Sequence, residues 1–217
     1  DIITMGSFVS GADTTTQGIF EEFGGDRIKD APMAESAIVA MAVGAAMTGL
    51  RPIVSTMVAG FQTSCFDPIF SRLGASYQEW HYKGPLPVVV VASIQGWAGK
   101  GPDHGFSPEA LFMHSPGLKV VMPSTAYDAK GLMKAAIRDN NPVLFFEHVL
   151  LYNLTEELPE GDYVCALDQA DLVKQGSDIT ILTYSRMRHH CLKAVELLEG
   201  KGIDVELIDL ISLKPFD

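Results

Sequence analysis

Hydrophobic residues along this chain fall into short continuous runs that alternate with helix-length segments. Residues 87–93 contain four consecutive valines, which is typical of a central strand covered on both faces. Similar runs predict strands at residues 2–5, 53–57, 118–122 and 143–146. Helical patterns lie between them at residues 19–23, 35–48 and 64–82, and the last of these helices is expected to begin near Asp67. A fourth helix is predicted after Ser124, which can cap it, because apolar residues from Ala129 onward follow helical spacing.

This alternation predicts an α/β fold with a mostly parallel sheet and helices on both faces. In such sheets, ligands bind beyond the carboxyl ends of the strands. The acidic segment at residues 155–163, broken by Pro and Gly, predicts a domain boundary. We therefore expect one domain at residues 1–160 and the start of a second α/β domain at residues 161–217, with a strand at 178–184, a helix at 188–198 and a strand at 204–208.

The second domain is shorter than the roughly 100–150 residues of a typical domain. We therefore expect it to be truncated. The chain also opens within a predicted strand and without an initiator Met, so the sequence is expected to begin inside the native protein.

Composition excludes several classes of function. The 217 residues are 47% hydrophobic and carry a formal net charge of -11, with no Lys/Arg cluster for binding nucleic acid. No apolar run approaches the roughly 18 residues of a membrane span. The three cysteines, Cys65, Cys165 and Cys191, lie far apart and in no metal-binding spacing, which favours a reducing compartment. We expect a protein of the cytoplasm, or of the mitochondrial matrix if eukaryotic.

Glu35 is the one charged residue at the start of a helix that is apolar almost all round its wheel. Such a pattern predicts a helix buried on every side. Pro32 precedes the first turn, where a carboxylate can simply complement the helix dipole. Alternatively, apolar neighbours would desolvate the carboxylate and turn it into a proton-handling group. Local sequence leaves both interpretations open.

The local sequence also leaves the roles of several other candidate residues undecided. The loop at residues 96–101 matches neither nucleotide-binding fingerprint, so it is either a flexible loop or an active-site wall. His104, at its end, is either a surface residue or a functional one. His189 and His190 are adjacent on a helix, diverge in direction, and are predicted to face solvent. Residues 136–142 end a helix with either hard-cation ligands or a simple polar stop.

Several blocks in order resemble the beta subunit of the decarboxylating component of 2-oxo acid dehydrogenase complexes. This family includes pyruvate, branched-chain and acetoin dehydrogenases and belongs to the wider transketolase-like group. The resemblance covers nearly the whole chain. It is carried by Asp-Ala-Pro-Met-Ala-Glu at residues 30–35, by His-Ser-Pro-Gly-Leu-Lys-Val-Val-Met-Pro-Ser at residues 114–124, and by residues 44–52, 128–132 and 136–142.

The resemblance implies roles for individual residues. Glu35 matches the glutamate that hydrogen-bonds the aminopyrimidine ring of thiamine diphosphate and shuttles a proton with it. Phe61 matches the aromatic residue stacked on that ring, and Met57 matches an apolar contact beside it. His104 matches the histidine that faces the substrate and the lipoyl acceptor. A structural potassium site is implied at Ala136, Ile137, Asp139 and Asn141.

The resemblance also implies partners. In this family the diphosphate and its Mg²⁺ are bound by a Gly-Asp-Gly segment and an Asn-containing stretch, which this sequence lacks. We therefore expect an alpha subunit to supply that half of the site in an α2β2 heterotetramer. The implied reaction is oxidative decarboxylation of a 2-oxo acid with acyl transfer to a lipoyl-bearing acyltransferase.

Two alternatives remain at this point. One is half of a split transketolase or of a deoxyxylulose-phosphate-synthase-like ketol transferase, and the other is a non-catalytic assembly or regulatory module. The sequence departs from the usual family pattern at Ser7, Phe8, Ser55, Gly105 and Phe106, and Pro68 interrupts what is usually a continuous helix in the family.

Overall fold

The computed structural model describes residues 1–7, 9–10 and 16–217, except for the side chains of Tyr77 and Trp80. Phe8, one of the departures from the family pattern, lies outside this part. The main sheet has seven strands in the order β10-β5-β6-β4-β3-β1-β2. All its pairings are parallel except that of β10 with β5, which confirms the predicted mostly parallel sheet. The strands are β1 (Ile2–Gly6), β2 (Ile28–Asp30), β3 (Arg51–Val58), β4 (Val89–Ile94), β5 (Lys119–Val121), β6 (Val143–His148) and β10 (Ser212–Lys214).

A second sheet of three strands follows in the order β7-β9-β8. Its strands are β7 (Asp171–Lys174), β8 (Ile179–Thr183) and β9 (Val205–Asp209). The predicted strand-helix-strand unit is present, because helix α7 (Met187–Glu199) connects the parallel strands β8 and β9. The division of the chain at residue 160 stays a prediction, and β10 returns from beyond it to the main sheet.

Helices cover the main sheet, and two apolar clusters lie between the layers. Three of the four consecutive valines are buried, as their unbroken apolar run predicts, and Val91 is half-buried: Val88 and Val90 have no exposed surface. The helices of this part are α1 (Ile19–Phe23), α2 (Glu35–Met47), α3 (Ser76–Trp80), α4 (Pro102–Gly105), α5 (Glu109–Met113) and α6 (Ala126–Arg138). None of the helices in the described ranges is both long and apolar enough to cross a membrane.

The prediction that α2 is buried on every side is wrong for this chain. Its buried face consists of Ile38, Val39, Ala42, Val43 and Ala46. The opposite face is open, and Met41 there is 58% exposed. A helix that is apolar all round is buried on all sides only if other elements pack against the face that points away from the sheet, as well as against the face that lies on it.

The single helix predicted near residues 67–82 is also wrong. The chain forms a 3-10 helix at Ala59–Thr63, a π-helix at Pro68–Leu73 and then the short helix α3. Pro68 has no amide hydrogen to continue a helix from the residues before it. Gly74 closes the π-turn by donating its N–H to the oxygen of Ile69, five residues earlier.

Two side chains near the start of α6 differ from their predicted roles. Thr125, and not Ser124, caps the helix, because Thr125 and Asp128 form a reciprocal capping box. The Ser124 hydroxyl instead donates to Asp209 at 3.0 Å. His189 does not face solvent as predicted: its Nε2 lies 2.8 Å from the backbone oxygen of Ser124. His190 is exposed as expected.

Candidate functional site

An open groove lies beyond the carboxyl ends of β3 and β4, at the start of α2. Its volume is about 690 Å³. Apolar side chains form most of its wall, together with two carboxylates, one of them at the start of α2, and two hydroxyl groups. The lining residues are Met33, Glu35, Gly60, Phe61, Thr63, Ser64, Pro102, Asp103 and Phe106. The groove therefore brings together two residues, Glu35 and Phe61, that are 26 positions apart in sequence.

Glu35 is the first residue of α2, and its side chain is half-buried. Within the described ranges, no residue donates a hydrogen bond to its carboxylate, so both oxygens are free for a ligand. Cys65 lies close behind it: burial, with the charge of Glu35 adding to it, raises the pKa of this thiol to about 12. A free carboxylate beside apolar walls fits a flat heteroaromatic ring whose nitrogens form hydrogen bonds.

Met57 lies at an irregularity of β3. The register of β3 against β4 shifts between Ser55 and Val58, and Met57 has a φ of 59°. A left-handed conformation is uncommon for a residue other than glycine, and surrounding contacts must hold it. The Ser93 hydroxyl does so by donating to the Met57 carbonyl at 2.7 Å, while the Met57 N–H donates to the Ser55 hydroxyl at 3.3 Å.

Phe61 and His104 are in contact. Their ring centroids are 5.5 Å apart with the planes at 71°, an edge-to-face arrangement. His104 lies in the short helix α4, and its backbone oxygen accepts from the N–H of Gln95 at 3.0 Å. The structure thus places His104 beside the wall of the groove that contains Glu35.

Sequence reasoning missed Gly60. A β-carbon on this residue would overlap the backbone oxygen of Asp103, so only glycine allows the 3-10 helix to approach α4 so closely. Gly60 and Asp103 directly precede Phe61 and His104 in sequence. The signal was the glycine itself, between a predicted strand and an aromatic residue, but its contact is with a segment more than 40 residues away.

The predicted potassium ligands lie elsewhere, at the end of α6 and just before β6, next to the amino ends of the strands. Arg51 donates to the backbone oxygens of Ile137, at 2.7 Å, and of Asp139. Burial opposes ionisation of Asp139, but hydrogen bonds from Lys119 and Asn141 lower its pKa below the ordinary value. Carbonyl oxygens keep a second lone pair after such bonds, so potassium at Ala136, Ile137, Asp139 and Asn141 stays a prediction. The described residues contain no group of three or more His, Cys, Asp or Glu side chains that could hold a metal ion.

Comparison with known families gives the class of this protein. Residues 2–155 match the pyrimidine binding domain of transketolase, and residues 168–217 match the transketolase C-terminal domain. Among solved structures, the fold is similar to a split gene transketolase described as an inactive beta4 tetramer. The TM-score is 0.81 at 24% identity, over 99% of this chain and 65% of that one. At that identity the likeness shows the fold alone.

Curated relatives narrow the family. The chain is 49% identical over 209 residues to the pyruvate dehydrogenase E1 component subunit beta of Porphyra purpurea, covering 95% of this chain and 62% of that protein. It is 47% identical over 223 residues to the same subunit of Chaetosphaeridium globosum, covering 100% of this chain and 67% of the relative. The chain belongs to the family of pyruvate dehydrogenase E1 component beta subunits. Membership of this transketolase-like family implies dependence on thiamine diphosphate.

Proposed function

We propose that this chain acts as the beta subunit of a thiamine-diphosphate-dependent 2-oxo acid dehydrogenase, with pyruvate as the substrate. The groove supports the proposal because a free carboxylate, an aromatic ring and apolar walls meet at the carboxyl edge of a parallel sheet. The relatives support it further, since those named above are pyruvate dehydrogenase subunits at 47–49% identity.

The chain's own residues would hold the aminopyrimidine half of the cofactor. When bound, thiamine diphosphate supplies the nucleophilic carbon and the electron sink that decarboxylation of a 2-oxo acid needs. A carboxyl oxygen of Glu35 holds a proton at a ring nitrogen and moves it there and back. The Phe61 ring offers a face for stacking, and Met57 gives an apolar contact. His104, beside Phe61, handles protons on the side of the substrate and the acyl acceptor.

The rest of the site is proposed to come from a partner. Met33, on the rim of the groove, is 69% exposed, and the sequence has no diphosphate-binding motif. We propose an alpha subunit that contributes the diphosphate and Mg²⁺ half, an α2β2 assembly, and a lipoyl-bearing acyltransferase as acceptor. We propose that the protein acts in the cytoplasm, or in the mitochondrial matrix if it is eukaryotic. One relative, from Arabidopsis thaliana, is named chloroplastic.

The decisive experiment is Glu35→Gln in the complex with the alpha subunit. We expect turnover of pyruvate with an artificial electron acceptor to fall by about 100-fold or more, which is the size of a general acid-base contribution. Assembly, measured by size-exclusion chromatography, should remain intact. Glu22→Gln, in the exposed helix α1, is the matched control. Near-normal activity of Glu35→Gln would reject the mechanism, and ketol transfer between sugars without lipoamide would favour a transferase.

A further inference from the structure

The turn that follows β8 of the second sheet contacts the segment containing His104 at two places. One place precedes His104 in sequence and the other follows it. We define the His104 segment as residues 96–109 and the β8–α7 turn as Tyr184, Ser185 and Arg186. Both contacts come from the same three-residue turn, so one element contacts the segment at two points.

The contact after His104 joins Tyr184 to Glu109. The Tyr184 hydroxyl donates to one carboxylate oxygen of Glu109 at 3.2 Å, and the Ser107 hydroxyl donates to the other at 2.7 Å. Glu109 is only 6% exposed, so these two donors satisfy a carboxylate that water scarcely reaches. Burial and the charge of Glu109 raise the pKa of Tyr184 above its ordinary value. A phenol is protonated at neutral pH even without such a shift, so the Tyr184 hydroxyl is a donor there.

The contact before His104 joins Arg186 to Trp97. The guanidinium carbon of Arg186 lies 5.7 Å from the centroid of the Trp97 ring, within the range of a cation-π interaction. Trp97 is 88% exposed and has a φ of 68°. Gly99 and Gly101 also have positive φ, so the backbone around them has few local constraints of its own.

The turn that makes these contacts is itself well fixed. Ser185 has a φ of 51° and is 3% exposed, which is a strained conformation held by its surroundings. The N–H of Arg188 donates to the Ser185 oxygen at 3.1 Å, which joins the turn to α7. In the first turn of α7, His189 contacts the backbone of Ser124, which lies shortly after β5 of the main sheet. The turn therefore has a defined position relative to the groove.

We propose that the β8–α7 turn is a positioning element for His104. Tyr184 and Arg186 act by holding the two ends of the segment, so that the imidazole stays against Phe61 at the groove. The role of His104 rests on the proposed function, but the mechanical link between turn and segment does not. Both residues are therefore positioning residues and not catalytic ones.

The test uses Tyr184→Phe and Arg186→Gln in the complex with the alpha subunit. Tyr184→Phe removes one hydroxyl, and its matched control is Tyr163→Phe, whose hydroxyl donates to the Tyr127 carbonyl away from the segment. For Arg186→Gln the control is Arg138→Gln, which removes an exposed ion pair with Asp162. We expect amide hydrogen exchange of residues 96–109 to become about tenfold faster in Tyr184→Phe and about threefold faster in Arg186→Gln, and to be unchanged in the controls.

Kinetics separate positioning from a general loss of stability. We expect kcat with lipoamide to fall by about tenfold in Tyr184→Phe and about threefold in Arg186→Gln, while the affinity for thiamine diphosphate changes little. The midpoint of urea unfolding should fall only as far as one lost contact allows, so that both variants stay folded in the assay. Arg186→Lys keeps the cation and should restore most of kcat. Unchanged exchange in residues 96–109 would overturn the proposal. Faster exchange with normal kcat would overturn the positioning role for His104. If exchange is faster in the two variants but Glu35→Gln keeps near-normal turnover of pyruvate, only the proposed function is rejected.

Discussion

The edge-to-face contact between Phe61 and His104 joins the two halves of the groove wall. Phe61 follows the bulged end of β3, and His104 lies in a separate short helix, yet their ring centroids are 5.5 Å apart. Their backbones are brought together one residue earlier, where Gly60 meets Asp103. The site therefore depends on one close backbone approach.

Gly60→Ala should disrupt this approach. The added β-carbon would overlap the Asp103 oxygen, so one of the two backbones must move. We expect a loss of about 1–3 kcal/mol in the free energy of unfolding, as for other overpacked sites, measured by urea denaturation, together with weaker binding of thiamine diphosphate by calorimetry. Gly25→Ala is the control, because its β-carbon would have only an ordinary contact with Phe20 at 3.8 Å. Equal stability of the two variants would contradict this explanation of Gly60.

Ser93→Ala should release the strained backbone of Met57. It removes the 2.7 Å hydrogen bond to the Met57 carbonyl and the acceptor for Gln95. We expect the free energy of unfolding to fall by about 1–2 kcal/mol, and the affinity for thiamine diphosphate to fall because Met57 shifts. The control is Ser177→Ala, which removes an exposed hydroxyl bonded to Asp204. The prediction fails if Ser93→Ala binds the cofactor as tightly as the unmodified chain does.

His104→Ala should separate the steps of the proposed reaction. Loss of the imidazole should lower acyl transfer to lipoamide by about 100-fold, as expected for a proton-transfer group, and affect turnover with an artificial acceptor less. The folded state should lose only about 0.5–1.5 kcal/mol, the worth of an aromatic contact. His190→Ala, at an exposed position, is the matched control. Normal acyl transfer in the variant would remove His104 from the mechanism.

Asp209→Asn should change the pH dependence of stability. Burial, with Asp128 adding to it, raises the pKa of Asp209 to about 6, although Ser124 and Arg188 oppose the shift by hydrogen bonding. The folded chain therefore holds this proton up to a higher pH than the unfolded chain does. As pH rises from about 4 to about 6, this group lowers stability by up to about 3 kcal/mol.

The Asn variant should lack this fall, which urea unfolding at a series of pH values measures. Its control is the exposed Asp168→Asn. If both variants follow the pH profile of the unmodified chain, Asp209 does not titrate in this window.

The strands of the main sheet could be predicted because their signal is local. The unbroken valines at residues 88–91 are typical of a covered central strand, and the structure buries all of them except Val91, which is half-buried. The fold class followed from the order of strands and helices alone. The resemblance brought Glu35, Phe61 and His104 to attention, and the structure places all three at or beside one groove.

The features of the fold and of the groove that could not be predicted depend on contacts between segments that are distant in sequence. The left-handed Met57 is held by Ser93 from the next strand, and Gly60 is required by a backbone oxygen more than 40 residues away. Likewise, Ser124 was a reasonable cap, but Asp209 takes its hydroxyl and Thr125 caps the helix instead. No periodicity in the sequence reports such pairings.

Strand β10 has a practical consequence for anyone who divides this molecule. Residues 212–214 pair with β5, which would be the edge strand of the sheet without them, and the N–H of Met122 donates to the Ile211 oxygen beside them at 3.0 Å. A fragment ending at residue 160 would expose the backbone donors and acceptors of β5 and invite edge-to-edge aggregation. The smallest piece worth expressing therefore extends at least to Lys214, well past the boundary that composition suggests.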